Sequence, residues 1–359
     1  MLTIYGKCGQ MRSWRDGNSH CRGEPRMNTS NNSNQQTLRP KTTVAPVTVI
    51  RFGEMMPDWG EYHESHAEGN HRAIYRYIGG ISGQNLRSPL PGWEFTCGIA
   101  MAPPQNGAPL HDHPDEEIFM VWEGEFEIFW EDFETKAPKS VILGKYDLIR
   151  VPSGIMRGFR NVGKDDGFIH FIHGQGDYQY PVYPESLREG LPDDARTESY
   201  VKQPAYDPAT QLVRHEECPR NWSVYHEAKL PEGVRSLRRY IGGVSGDTDE
   251  GPPPSLSEGE IGYAMVECGN GRGAPLHDHP CEELFIALEG RWVVYWADER
   301  GSIHQAVLDP WDACWVPTGV QRGFRNADRT EGKIHIIQGQ GATPAPNYTE
   351  DYSALKANA

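Results

Sequence analysis

The sequence predicts an all-β protein built from two tandem, homologous β-barrels. Three observations carry this. The pattern His-Asp-His-Pro-x-Glu-Glu occurs twice, at His111 to Glu117 and at His277 to Glu283. Each copy sits inside a much longer matching block. The intervening sequence reads as short β-branched and aromatic runs closed by Gly/Pro turns, with little helical periodicity.

The repeat aligns in three blocks. At an offset of 163, Trp59 meets Trp222, Tyr62-His63-Glu64 meets Tyr225-His226-Glu227, and Arg72 meets Arg235. At the same offset Arg76-Tyr77-Ile78-Gly79-Gly80 meets Arg239-Tyr240-Ile241-Gly242-Gly243. At 166, Gly107 to Pro114 meets Gly273 to Pro280. At 165, Arg157 to Asn161 meets Arg322 to Asn326, and Ile169-His170 meets Ile334-His335. A period this long marks one duplicated domain and not a solenoid. The expected organisation is an N-terminal extension over 1–45, a first domain over 46–176, a linker over 177–220, a second domain over 221–345 and a tail over 346–359. The linker carries Pro181, Pro184, Pro192, Pro204, Pro208 and Pro219, with one short helix expected near Glu185 to Glu189. Residues 27–45 are rich in Asn, Ser, Thr and Gln and read as disordered. Met27 is a second candidate start.

Composition narrows the partners. The chain has 359 residues, enough for two cores, and a net charge of −15. That balance argues against nucleic acid and against anionic membranes. No apolar run approaches a membrane span. Seven cysteines, odd in number and without a CxxC, read as reduced thiols of a cytoplasmic protein.

The elements follow from the runs. Ile118 to Trp130 reads as two strands broken at Glu123-Gly124 as a tight hairpin, and Leu284 to Trp296 repeats this around Glu289-Gly290. Leu148 to Val151 and Ala313 to Val316 read as short strands ended by Pro-x-Gly. On a strand, residues i and i+2 share a face, so His111 projects with His113 and His277 with His279. Pro114 and Pro280 turn the chain, and Glu117 and Glu283 open the next strand on its inward side. Two imidazoles and a carboxylate can converge on one metal ion, at roughly 2.0–2.2 Å from it. The alternative is a set of buried polar residues paired with one another. Phe119, Val121, Phe126, Phe159, Phe285, Trp292 and Phe324 are candidates for the barrel walls.

At these residues the chain resembles the cupin superfamily, and specifically bicupins, over about 59–176 and 222–341. The first cupin motif matches at His111, His113, Glu117 and Gly124, and at His277, His279, Glu283 and Gly290. Its leading Gly is Gly271 in the second copy but Gln105 in the first. The second motif matches at Pro152, Gly154 and Asn161, and at Pro317, Gly319 and Asn326. Tyr146 and Trp311 replace its leading Gly. The resemblance implies two tandem cupin jelly-roll β-barrels joined by the Pro-rich linker, each with a divalent metal. It is specific for fold and weak for function. Bicupins often pair further, so a homo-oligomer is compatible with it.

One departure shapes the functional expectation. The second motif normally supplies a fourth ligand, a His, where this chain has Arg157 and Arg322. Arginine has no lone pair to offer a metal. Two His and one carboxylate then remain, the facial triad of non-haem Fe(II) oxygenases. The expectation is an Fe(II)-dependent dioxygenase acting on a small anionic substrate, an aromatic one included. Arg157 or Arg322 would fork onto the substrate's anionic group as the catalytic cation. Mn, Zn and Ni remain alternatives to Fe. The rival reading of the arginines is a structural salt bridge to Glu117 or Glu283. Rival functions are a metal-dependent isomerase or decarboxylase that needs no O₂, and a non-catalytic binding protein. His170 and His335, matched in an apolar strand, are candidates for an extra ligand or for hydrogen-bond support of the ligands. His173 meets Gln338 and so falls outside the duplicated set. Cys281, in place of Asp115, reads as a surface thiol.

Overall fold

Each half folds its apolar runs into a large and a small antiparallel sheet. The protein is described by a computed structural model covering residues 46–80, 88–174, 181–187, 203–242, 246, 248, 250–341 and 345–352. The predicted N-terminal extension and the end of the tail lie outside the described residues. In the first half the six-stranded sheet runs in the order Leu212–Val213, Leu148–Val151, Glu117–Glu123, Gly167–His173, Thr96–Ala102, Ala73–Ile78. Its partner sheet is Gly107–His111, Arg157–Asn161, Phe126–Glu131, Pro138–Leu143. The second half repeats both sheets with extra edge strands, giving seven and five. This is the jelly-roll architecture, and the described residues contain no α-helix, only 3₁₀ turns. The helix expected near Glu185 to Glu189 is one such turn over Glu185–Leu187.

The expected hairpins at Gly124 and Gly290 are not hairpins. Glu117–Glu123 and Phe126–Glu131 belong to different sheets. Gly124, at φ +89°, and Gly290, at φ +76°, turn the chain from one sheet to the other. Two runs of strand character on either side of a glycine look alike whether they pair or part.

Strand Glu117–Glu123 is buried on both faces up to Trp122. Phe119 and Val121 enter the core inside the first barrel, with Phe126 and Phe159. Ile118, Met120 and Trp122 enter a different core, shared with Tyr263, Met265, Leu284, Ile286 and Ile337 of the second half. The large sheets of the two halves thus pack on each other. Phe285, Trp292 and Phe324 fill the second barrel, so the expected wall residues lie inside. The halves also exchange edge strands. Thr48–Ile50 pairs with Ala313–Val316 of the second half, while Leu212–Val213, from beyond the first half, pairs with Leu148–Val151.

The positions where this chain lacks the motif glycines keep the glycine backbone. Gln105, Tyr146 and Trp311 have φ of 63°, 65° and 71°. The Gln105 N–H donates to Asn161 O and the Gly271 N–H to Asn326 O, both at 2.8 Å. Left-handed backbone costs a side-chain-bearing residue about 1–2 kcal/mol. Gly271 has open space where a Cβ would go. Gly271→Gln should therefore destabilise by about 1 kcal/mol, and Gln105→Gly should stabilise by less, since glycine also frees the unfolded chain. Urea unfolding of the two variants checks both signs.

Candidate metal centres

In the first barrel four side chains converge from three strands and a turn. His111 ends Gly107–His111, His113 follows it, Glu117 opens Glu117–Glu123, and His173 ends Gly167–His173. His173 pairs with Glu117 across the sheet. The Glu117 Oε2 lies 3.6 Å from His111 Nε2 and 4.0 Å from His113 Nε2, and its Oε1 lies 3.5 Å from His173 Nε2. The rings of His113 and His173 are 4.5 Å apart. All four residues are buried. Asp115 Oδ2 sits 3.8 Å from His173 Nδ1, and His113, Asp115 and His173 form a second group able to hold a metal ion.

In the second barrel His277, His279 and Glu283 gather with donor atoms within 4.8 Å of one another. The place of His173 is taken by Gln338, whose Nε2 donates to Glu283 Oε1 at 2.9 Å. Cys281 replaces Asp115 and is fully buried, not on the surface. Burial pushes its thiol up to about 12, so it offers no thiolate near neutrality.

These donors fit a cation. His111 Nδ1 lies 2.7 Å from Pro109 O, and His277 Nδ1 lies 2.7 Å from Pro275 O. A carbonyl only accepts, so each Nδ1 is a donor, and the neutral tautomer this selects turns a bare Nε2 inward. In the first site that lone pair faces a carboxylate oxygen at 3.6 Å. Two acceptors in a buried site need a positive partner between them. Burial lowers the histidines, His173 and His277 to about 3 and His113 well below its ordinary value. Burial would raise the Glu117 carboxyl, but the Arg157 guanidinium, 2.9 Å away, holds it below the usual carboxylate range.

The arginines do not face a substrate. Arg157 donates from Nε to Glu117 Oε2 at 2.9 Å and from Nη1 to Asp112 Oδ1 at 2.7 Å. Arg322 donates from Nε to Glu283 Oε2 at 2.8 Å and from Nη1 to Val320 O at 2.9 Å. Both are fully buried, and neither lines the cavity beside its ligands. The catalytic, substrate-forking role expected of Arg157 and Arg322 is corrected: they sit behind the glutamates as ion-pair partners. Each reaches its glutamate through Nε alone, so it does not enclose the carboxylate.

His170 and His335 are corrected too. His173 stands three positions after His170, an odd step on a strand, so the two side chains point to opposite faces. His170 and His335 lie in the core between the halves, each with Nδ1 3.1 Å from Tyr263 OH. Trp122 stacks on His170 at 4.7 Å. They are neither ligands nor partners of ligands.

Each centre opens on a cavity of about 20 Å³, enough for about one water-sized group. The wall opposite the ligands repeats in both halves. Arg72 donates to Glu64 at 2.7 Å and lies over the Tyr62 ring, and Tyr183 also bonds Glu64. Arg235 and Tyr348 both donate to Glu227 at 2.5 Å, and Arg235 lies over Tyr225. Tyr62, Glu64, Arg72 and Tyr183 line the first cavity and Tyr225, Arg235 and Tyr348 the second, unlike Arg157 and Arg322. The repeated Tyr-His-Glu and the repeated Arg after it carried this signal.

A family model described as a Cupin domain matches residues 98–173. No curated protein matches the chain. Among solved structures, the chain is similar to Lactobacillus farciminis oxalate decarboxylase in complex with formate. The TM-score is 0.54 at 11% identity, covering 84% of this chain and 88% of that one. It is also similar to a variant of Bacillus subtilis oxalate decarboxylase, at TM-score 0.55 and 12% identity, covering 88% and 84%. At such identities the likeness shows the fold.

Two outcomes test the site's electrostatics. Arg157→Met leaves Glu117 and Asp112 buried without their cation and should cost about 3–5 kcal/mol in guanidinium unfolding. Acid should destabilise the metal-free protein. His170, His173 and His277 sit at about 3 when folded, against an ordinary value of about 6.5. Between these values the unfolded chain binds the protons, so stability falls with pH by up to about 1.4 kcal/mol per unit for each group. His170→Gln should flatten that slope in urea unfolding followed from pH 7 to 4.

Proposed function

We propose, from the premise that this chain is a bicupin of the cupin superfamily, that it is a metal-dependent lyase acting on a small carboxylic acid. The reaction class we assign is decarboxylation without net use of O₂, with the first half as the working centre. The observation that carries this is His173. With it, the first centre presents three imidazoles and a carboxylate. The dioxygenase expectation rested on three donors, three open positions and an arginine turned to the substrate. In the first centre His173 stands beside Glu117 as a candidate fourth donor, and the arginine faces Glu117. His111, His113, His173 and Glu117 would hold the ion there and leave a small acid room to bind it. The small cavity supports the same substrate class. So does the likeness to oxalate decarboxylases, one of them holding formate.

The metal, when bound, supplies a Lewis acid that withdraws charge from the substrate carboxylate. Mn fits the three-imidazole, one-carboxylate set as well as Fe does, with Zn and Ni as further candidates. The chain's own groups do the rest. Pro109 O fixes the His111 tautomer, and Arg157 offsets the charge of Glu117 without entering the cavity. Arg72 and Tyr183, both bonded to Glu64, hold the wall of the cavity in place. Asp115 lies behind His173, away from the cavity lining, with Oδ2 3.8 Å from the ring's Nδ1.

The test combines metal analysis with turnover under argon. Protein purified without chelators should hold a divalent metal and release CO₂ from a small mono- or dicarboxylic acid in the absence of O₂. His173→Gln, which copies the second centre, should lower turnover at least tenfold. His277→Ala should leave turnover within about twofold. O₂ consumed one for one with substrate would overturn the lyase reading. Loss of turnover in His277→Ala with His173→Gln unaffected would move the reaction to the second barrel.

A further inference from the structure

Both copies of the repeated pattern end in two adjacent glutamates, and the structure sends them in opposite directions. Glu117 and Glu283 turn into their own barrels. Glu116 and Glu282 turn out, are buried, and reach the other half. The Glu260 N–H donates to Glu116 Oε1 at 2.6 Å, and the Glu116 N–H donates back to Glu260 Oε2 at 3.3 Å. The mirror arrangement joins the second site to the first half. The Glu94 N–H donates to Glu282 Oε1 at 2.7 Å, and the Glu282 N–H donates back to Glu94 Oε2 at 3.0 Å. Glu94 and Glu260 stand 166 positions apart, the offset of the ligand motif itself.

Each clasp grips two strands of the site, the one that carries the ligand glutamate and the one paired with it. Glu116 immediately precedes Glu117, and its carbonyl accepts from the N–H of Gly174, the residue after His173. Glu282 immediately precedes Glu283, and its carbonyl accepts from the N–H of Gly339, after Gln338. The side chain of Glu260 lies against Gly174 and that of Glu94 against Gly339, so closely that a Cβ at either glycine would collide with it. This explains why glycine stands at those two places. The outer Oε2 of Glu116 is held by Tyr206 OH at 3.0 Å, and that of Glu282 by Trp315 Nε1 at 2.9 Å.

We propose that the metal centre of each half is positioned by a glutamate from the other half, Glu260 for the first centre and Glu94 for the second. The inference rests on the reading that both centres hold metal. The clasp fixes the start of the strand that carries the ligand glutamate and the end of the strand opposite it. Removing it loosens the donor set without removing a donor.

The test uses the full chain with one centre disabled at a time and Co²⁺ alone as the probe, titrated by its visible absorption. His277→Ala with His279→Ala isolates the first centre, and His111→Ala with His113→Ala isolates the second. Glu260→Ala should weaken Co²⁺ at the first centre by roughly 10–100-fold, the range for groups that support metal ligands, and leave the second within about twofold. Glu94→Ala should do the reverse. This crossed pattern is one that general loss of stability would not produce. Should an alanine variant fail to fold, Glu260→Asp and Glu94→Asp replace it, with a crossed loss of at least about threefold expected. Uncrossed effects, equal effects at both centres, or none overturn the clasp. Absence of Co²⁺ binding in both parent backgrounds overturns the metal reading together with the inference built on it.

Discussion

A strand buried on both faces offers no neutral direction for a side chain, and this molecule depends on that constraint. The strands Glu117–Glu123 and Gly167–His173, with their counterparts, separate a barrel interior from a core shared between halves. Alternation along the strand then assigns every residue to one or the other. Glu117 goes to the metal donors and Glu116 to the opposite half. His173 goes to the donors and His170 to the shared core. A shift of one residue in register would exchange these roles throughout.

The sequence made much of this legible. Duplication, the strand content and the barrel walls follow from repeat, composition and turn residues. The convergence of His111, His113 and Glu117 follows from spacing. What it hid depends on pairing across strands. His173 meets Glu117 only through sheet register, and comparison of the halves argued against it because Gln338 stands opposite. The parity between His170 and His173 was readable, but the repeat drew the eye to the matched histidine. The left-handed backbone at Gln105, Tyr146 and Trp311 shows why a missing motif glycine did not mark a missing motif.

The two centres share a frame and differ in their donors. In both, an arginine lies behind the glutamate, an N–H donor turned to a carboxylate in a region with little water. Such a pair is costly to assemble and costlier to break, which suits it to holding a ligand still. Within that common frame the halves diverge at His173 against Gln338 and at Asp115 against Cys281. The changes sit beside the ligands and leave the supporting ion pair and the arginine–glutamate–tyrosine wall intact. Divergence after duplication has thus touched the chemistry while sparing the mechanics.

The exchanged edge strands have a topological consequence. Thr48–Ile50 borders the second half's sheet, more than 260 positions away from its partner in the chain, and Leu212–Val213 borders the first. A border drawn through the linker would therefore not separate two self-contained pieces. Each piece would carry off a strip belonging to its twin and leave an open row of backbone donors and acceptors. The two halves are tied to each other at both borders, so losing Thr48–Ile50 is felt by the half that is synthesised last.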